Sequence, residues 1–331
     1  MKKILVIQTA FIGDVILSTS LLESLNGALP DAEISILVRK GNESLFVDHP
    51  FLKEVLVWNK KEGKYSSLLR MLKTIRSRRF DQVINLHRFA SSGFLTCFSK
   101  AKHTVGYDKN PWSWSFSEKY PHEIGSKGDE NFLHEIDRNF RLIENIAKAD
   151  LHSPRLYPAD NALIELELPE RFITISPASV WFTKAFPEHR WVQFLDEILE
   201  IPVYLLGGPS DLDLLNRIAK ASNHKHLSIQ AGKLSLLQSA ALMAAADMNF
   251  VNDSAPLHLA SSMQAPVRAM FCSTIPEFGF GPTESNGEVI QVEKELECRP
   301  CGLHGRKSCP LGHFRCAEDI DIRKMINSIP E

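Results

Sequence analysis

Apolar residues in this chain come in short unbroken runs, and between the runs they recur at helical spacing. The first run, Lys3 to Thr9, is continuous, which is the signature of a parallel strand covered on both faces. The loop Ala10-Phe11-Ile12-Gly13 leads into a helix predicted from about Asp14 to Leu25. Further strands are expected at 33–38, 54–58, 81–86 and 103–107, and helices at 65–78, 89–98 and 132–148. Such alternation indicates parallel βαβ units. Residues 108–130, with Trp112, Trp114, Tyr120 and two prolines, show little periodicity and read as a long functional loop.

The pattern restarts after a Pro-containing polar stretch at 150–170, where the domain boundary is placed, giving domains 1–160 and 161–331. Strands are expected at 172–176, 203–206, 226–229, 248–251 and 267–271, with helices at 188–199, 211–221, 235–245 and 256–262. The fold class is therefore α/β, with two βαβ domains expected to face across a cleft. Ligands in such sheets bind beyond the carboxyl ends of the strands.

Size and composition agree with two soluble domains: 331 residues, 44% hydrophobic and 24% charged, against roughly 150 residues per domain. The 38 Lys and Arg against 40 Asp and Glu leave a net charge of −2, which argues against a dedicated nucleic-acid binder. The total conceals a basic stretch at 60–79, where Lys60, Lys61, Lys64, Arg70, Lys73, Arg76, Arg78 and Arg79 face Glu62 alone. The default reading is a surface helix with its apolar face on the sheet, and the same bases suit anionic headgroups or an anionic acceptor. The amino-terminal run lacks a small-residue cleavage site and is broken by Asp14, so it reads as a strand rather than a signal peptide. No run reaches the ~20 apolar residues of a membrane span. The expectation is a cytoplasmic chain with reduced thiols.

Four groups of residues carry candidate chemistry. Gly13-Asp14 follows the first strand; the aspartate is either an N-cap or a general base, and there is no GxGxxG dinucleotide fingerprint. In Pro177 to Pro187, Ser179 and Thr183 hydroxyls beside Lys184 suit a diphosphate, although no Walker motif is present. Asp253, Ser254 and Ala255 open a helix whose amides could receive phosphate, with His258 a turn later. Ser235 is a plausible N-cap, with Leu234 beside it, and Gly207-Gly208 marks a turn at a strand end. Cys298, Cys301, Cys309 and Cys316 crowd the carboxyl terminus at C-x₂-C-x₇-C-x₆-C. A structural zinc there is less favoured than local packing of reduced sulfurs, because only one tight pair exists. No catalytic metal is expected.

The opening GDVILSTSLLESL, the segment PASVWFTKAFPEHRW, the block GKLSLLQSAALMAAADMNFVNDSAPLHLASSMQAPVRAMF and the terminal CGLHGRKSCPLGHFRC together resemble family 9 glycosyltransferases, nearly end to end. Within them the terminal segment is similar to the group that adds the second heptose to lipopolysaccharide. The resemblance implies a GT-B fold of two Rossmann-like domains, acceptor on the first and nucleotide sugar on the second. It implies an inverting, metal-independent heptosyltransferase with an ADP-heptose donor, a heptosylated lipopolysaccharide inner-core acceptor, no cofactor and peripheral contact with the inner membrane. Carried over, Asp14 matches the catalytic aspartate, Lys184 a donor-phosphate lysine and Ser179 a neighbouring hydroxyl. Leu234 falls beside adenine, Asp253 at the donor sugar, Ser254 and Ala255 at the diphosphate, and His258 supports that loop. The chain departs from the family pattern at Ala178, Val180, Ala185 and Phe186, and Ala185 stands where relatives carry an arginine. A transferase of another nucleotide sugar, or a non-catalytic ADP- or carbohydrate-binding protein of envelope biosynthesis, are the rival readings. Nothing in the sequence sets an oligomeric state.

Overall fold

A computed structural model of the chain describes residues 1–283 and 285–330, without the side chains of Lys64, Ile146 and Ala147. The chain divides into two compact units: residues 1–123 with 135–157, and residues 124–134 with 158–331. The segment 124–134 thus leaves the first unit and belongs to the second.

The first unit holds β1 (Lys3–Ile7), α1 (Ile12–Ala28), β2 (Glu33–Arg39), β3 (Leu52–Trp58), α2 (Lys64–Arg78), β4 (Gln82–Asn85), α3 (Ala90–Cys97), β5 (His103–Tyr107), β6 (Glu118–Tyr120), α4 (Glu135–Arg141) and α5 (Glu144–Ala147). Its six strands lie in the order β3-β2-β1-β4-β5-β6, every pair parallel. β1 is central, and Ile4 to Ile7 are fully buried, as a strand covered on both faces requires. In α2, Met71, Leu72 and Ile75 are buried against the sheet, while Arg78 pairs with Glu54 at 2.8 Å and Arg70 with Glu62 at 3.3 Å. α2 is therefore an amphipathic surface helix on which Arg70 and Arg78 are in ion pairs.

Three local features differ from the sequence pattern. α1 begins at Ile12 with Phe11 as N-cap, so Asp14 is the third residue of the helix and not its cap. The helix expected over 132–148 is two: Leu142 and Ile143 make i→i+3 turns onto Asn139 and Phe140 and are fully buried. Inside the stretch read as loop, Glu118–Tyr120 adds an edge strand, registered Val105 on Glu118.

The second unit repeats the plan with β7 (Ile173–Ser176), α6 (Glu188–Glu197), β8 (Val203–Leu205), α7 (Leu212–Ala221), β9 (Leu227–Ile229), α8 (Leu236–Ala245), β10 (Met248–Asn252), α9 (Ala255–Ser262), β11 (Val267–Phe271), β12 (Gly287–Gln291), α10 (Arg315–Glu318) and α11 (Ile322–Ile326). Its strand order is β12-β11-β10-β7-β8-β9, again parallel throughout. Trp191 meets Phe186 edge-on at 5.1 Å, in a core that also takes in Phe314, Cys316, Ala317 and Ile320. The terminal Cys-bearing segment is thus integral to this unit. Two parallel sheets, each flanked by helices, constitute the GT-B arrangement of Rossmann-like domains.

Candidate active site

In the first unit the carboxyl ends of β1, β3 and β4 gather polar groups. Lys60 donates to the Thr9 carbonyl at 3.3 Å and to its hydroxyl at 3.1 Å. That hydroxyl in turn lies 3.2 Å from His87 Nδ1. Burial, reinforced by the charges of Lys60 and Arg88, pushes the His87 imidazole down to about 4, so it is neutral at physiological pH and can accept the Thr9 proton. The Arg39 guanidinium stacks 4.8 Å over the exposed Phe11 ring. Arg39 and Arg88 form no ion pair among the described residues.

Asp14 sits at this end of the sheet, on the first turn of α1. Burial raises its carboxyl to about 6, and the charge of Glu135 adds to the rise, against backbone hydrogen bonds and Arg88. Glu135 comes from α4, which packs against α1. It is itself buried, accepts from Arg138 Nε at 2.8 Å and lies 3.2 Å from His122 Nε2. Burial opposes its ionisation, but those partners outweigh burial and hold its carboxyl below the usual range. Glu135 is therefore a fixed negative charge beside a base whose proton affinity it raises. Gly13, second in α1, has no positive φ, so no left-handed conformation demands glycine there.

In the second unit the loop after β7 is stapled at both ends by one side chain. Asn252 donates to the Pro177 carbonyl at 2.8 Å and accepts from the Phe186 amide at 2.9 Å. Within that loop Lys184 Nζ lies 2.7 Å from Asp253 Oδ2, and Thr274 Oγ1 donates to the same oxygen at 2.6 Å. The two side chains are 16% and 7% exposed, so the pair is largely withdrawn from water but not sealed.

Thr183 departs from its expected role as a ligand hydroxyl. It is 1% exposed, and its oxygen accepts from the Arg306 amide at 2.7 Å and from Ser273 at 3.0 Å. It fastens the loop rather than facing outward. Ser179 lies partly exposed on the same loop. Ser254 is the N-cap of α9, but its hydroxyl turns back to the Asn252 carbonyl at 3.4 Å and makes no side-chain cap. Ala255 is the first residue of that helix, and His258 is buried on its first turn. Leu234 lies elsewhere, after β9, directly before Ser235, which caps α8 as expected and also forms a capping box with Gln238. The Gly208 amide is taken by Asp211 at 2.8 Å. That carboxylate makes the Gly207-Gly208 turn a poor place for phosphate.

The crowded cysteines are free thiols. Burial, then the neighbouring sulfurs, raises the Cys316 thiol to about 12 and that of Cys301 in the same direction. Among the described residues no group of three or more His, Cys, Asp or Glu could hold a metal ion. No described helix is long and apolar enough to cross a membrane.

Comparison with known proteins decides the family. The model for glycosyltransferase family 9 (heptosyltransferase) matches residues 68–311, well over half of the chain. The protein belongs to glycosyltransferase family 9. It is similar to lipopolysaccharide heptosyltransferase 3 of Escherichia coli K12, 25% identical over 283 residues that cover 79% of this chain and 80% of the relative. A relative called lipooligosaccharide heptosyltransferase 2, from Campylobacter jejuni, is 22% identical over 98% of this chain and 96% of its own. Among solved structures, the family 9 transferase of Veillonella parvula superposes with a TM-score of 0.84 at 21% identity, covering 99% of this chain and 96% of that one. E. coli ADP-heptose lipopolysaccharide heptosyltransferase II gives 0.80 at 20%, covering 99% and 97%. These likenesses establish the GT-B fold of a family 9 glycosyltransferase.

Three residues that matter here had only a weak signal in sequence. Asn252 lay inside the recognised Asn-Asp-Ser run, yet its role as a staple depends on two loops meeting it. Glu135 lies far along the chain from Asp14, and Arg306 from Thr183, and both became visible only through packing.

Proposed function

We propose that this enzyme transfers heptose from ADP-heptose to the heptosylated, anionic inner core of lipopolysaccharide, with inversion at the anomeric carbon. The observation that carries the reading is the Asp14 carboxyl, held at a strand end with its proton affinity raised to about 6, in a member of a heptosyltransferase family. Such a group is ionised at neutral pH yet basic enough to take a proton from an attacking hydroxyl. Arg39, Lys60 and Arg88 supply positive charge on the same unit for an anionic acceptor. On the second unit Lys184 meets the donor diphosphate, Asp253 the sugar, the α9 start at Ser254 and Ala255 the phosphate oxygens, and Leu234 the adenine. His258 supports the α9 loop, and Gly13 and Ser179 line the two sites. Charge developing on the departing ADP is stabilised by groups already in place. The relatives include heptosyltransferases numbered 1, 2 and 3, so addition of the second heptose is the specific form of the proposal. Its ground is the terminal cysteine-bearing segment.

Incubation with ADP-heptose and a mono-heptosylated inner-core acceptor, read by mass, is expected to give a product one heptose heavier, together with ADP. Transfer only from other nucleotide sugars would replace the donor assignment. Absence of product across a panel of donors and acceptors would favour the binding-protein reading.

The Glu135 charge supplies a second check. Glu135→Gln keeps an acceptor for Arg138 but removes the negative charge that raises Asp14. The acidic limb of the pH–rate profile is expected to move to lower pH, because Asp14 then gives up its proton more readily. An unmoved limb would remove Glu135 from the tuning of the base.

A further inference from the structure

The electrostatics of the Lys184 site do not balance for the ligand assigned to it. At 2.7 Å the Lys184 ammonium already neutralises Asp253, so the pair presents almost no net charge to an incoming diphosphate. A pyrophosphate group carries at least two negative charges when it binds, and its oxygens are stabilised most by charge-assisted donors. A second cation is needed, and the loop after β7 supplies none: Ala185 follows the lysine and Val180 is apolar.

The terminal segment brings one alongside. Gly305 lies directly against the lysine side chain, and a β-carbon there would stand 2.9 Å from Lys184 Cγ and 3.1 Å from Thr183 Oγ1. Gly305 also has φ +75°, a left-handed conformation that favours glycine. The next residue, Arg306, is tied to the loop by its backbone on both sides: its amide donates to Thr183 Oγ1 at 2.7 Å and its carbonyl accepts from the Thr183 amide at 3.1 Å. Ser273, from the end of β11, completes the knot by donating to the same Thr183 hydroxyl at 3.0 Å. The Arg306 side chain is exposed. Its Nε donates to the Cys301 carbonyl at 3.4 Å, and it forms no ion pair among the described residues.

We infer that Arg306, carried on the cysteine-bearing terminal segment and locked to Thr183, is the second cationic ligand of the donor diphosphate beside Lys184. This deepens the proposed function and rests on its donor site. It also accounts for the way the terminal segment is built. The segment packs into the core of the second unit through Phe314 and Cys316 and carries an exposed arginine whose main chain is fixed against the Lys184 loop. A planar fork extending from that anchored backbone can meet two phosphate oxygens at once.

Equilibrium binding of ADP, AMP and adenosine to the full chain tests the inference. Because both ties to Thr183 are main-chain groups of Arg306, Arg306→Ala is expected to keep the wild-type melting temperature. It should weaken ADP about 10- to 100-fold, the loss of one or two charge-assisted hydrogen bonds, while leaving adenosine unchanged, so that the preference for ADP over AMP shrinks. Arg306→Lys should recover part of the loss. Lys307→Ala, which removes the neighbouring charge, should leave ADP affinity within about twofold, since a single exposed charge contributes little. Wild-type ADP affinity in Arg306→Ala overturns the inference, as does an equal loss in Lys307→Ala, which would mean a diffuse field. If Lys184→Ala also binds ADP normally, or the wild type does not bind it, the donor site itself is misassigned. Loss in Lys184→Ala alone would sink only the role of Arg306.

Discussion

Asp14→Asn is expected to lower kcat for heptose transfer by about 10²–10⁴-fold, the usual contribution of a positioned general base, with ADP affinity unchanged. Asparagine keeps the shape and can still accept a hydrogen bond at the start of α1, but it cannot take a proton from the acceptor hydroxyl. The predicted separation between kcat and ADP binding follows from the placement of the two groups, because Asp14 belongs to the first unit and Lys184 and Asp253 to the second. Turnover within about threefold of wild type would remove Asp14 from the base role.

The same substitution makes a second prediction, about stability. Burial raises the Asp14 carboxyl from its ordinary 3.8 to about 6. The folded protein therefore binds this proton more tightly than the unfolded chain, and its stability falls as pH rises from about 4 to about 6. Above that window the buried charge costs of order 1–3 kcal/mol, reduced by the partial exposure of the side chain. Asn carries no charge, so Asp14→Asn should melt at or above the wild-type temperature at pH 7.5 and lose that advantage near pH 4. In the wild type, activity should rise with pH through about 6 as the base ionises. Inactivity in a variant at least as stable as its parent excludes unfolding as the cause.

The periodic positions revealed most of this architecture because buried parallel strands leave so little freedom: Ile4 to Ile7 in β1 and Phe250 to Asn252 in β10 must be buried on both faces. What sequence could not reveal depended on tertiary partners. β6 is three residues, Glu-Lys-Tyr, too short and polar for any period, and exists only because β5 offers it an edge. The break between α4 and α5 is local chain geometry at two fully buried residues, in a stretch whose apolar spacing suits one helix. Asp14 looked like an N-cap because aspartate at a helix start usually is one. The helix instead starts two residues earlier, with Phe11 as its N-cap, so the carboxyl stands inside the first turn. Lys184 and Asp253 were each singled out, but their pairing links residues from the ends of two different strands, and no motif encodes it. Thr183 was misread for the same reason: the groups that occupy its hydroxyl come from Ser273 and Arg306.

Lys184→Ala is the second variant for which a large effect is expected, and its size follows from the partner left behind. The ammonium stands 2.7 Å from an Asp253 carboxylate that is 7% exposed. Truncating the lysine removes a phosphate donor and also strands a buried negative charge, whose remaining side-chain partner is the Thr274 hydroxyl. That charge would repel the diphosphate, so ADP affinity should fall about 10²–10³-fold, more than loss of an exposed cation could cause. The orphaned carboxylate should also lower the melting temperature. Adding Asp253→Asn to Lys184→Ala relieves the buried charge and is expected to restore most of the stability, because removing both members of a buried pair costs less than removing one. It should regain only part of the ADP affinity, the part lost to repulsion, since no cation returns. An ion pair that served the fold alone would behave differently: the double variant would recover stability, and neither variant would alter ADP binding beyond about twofold. The partial rescue of affinity, measured beside recovery of most of the stability, separates a phosphate-binding lysine from a structural one.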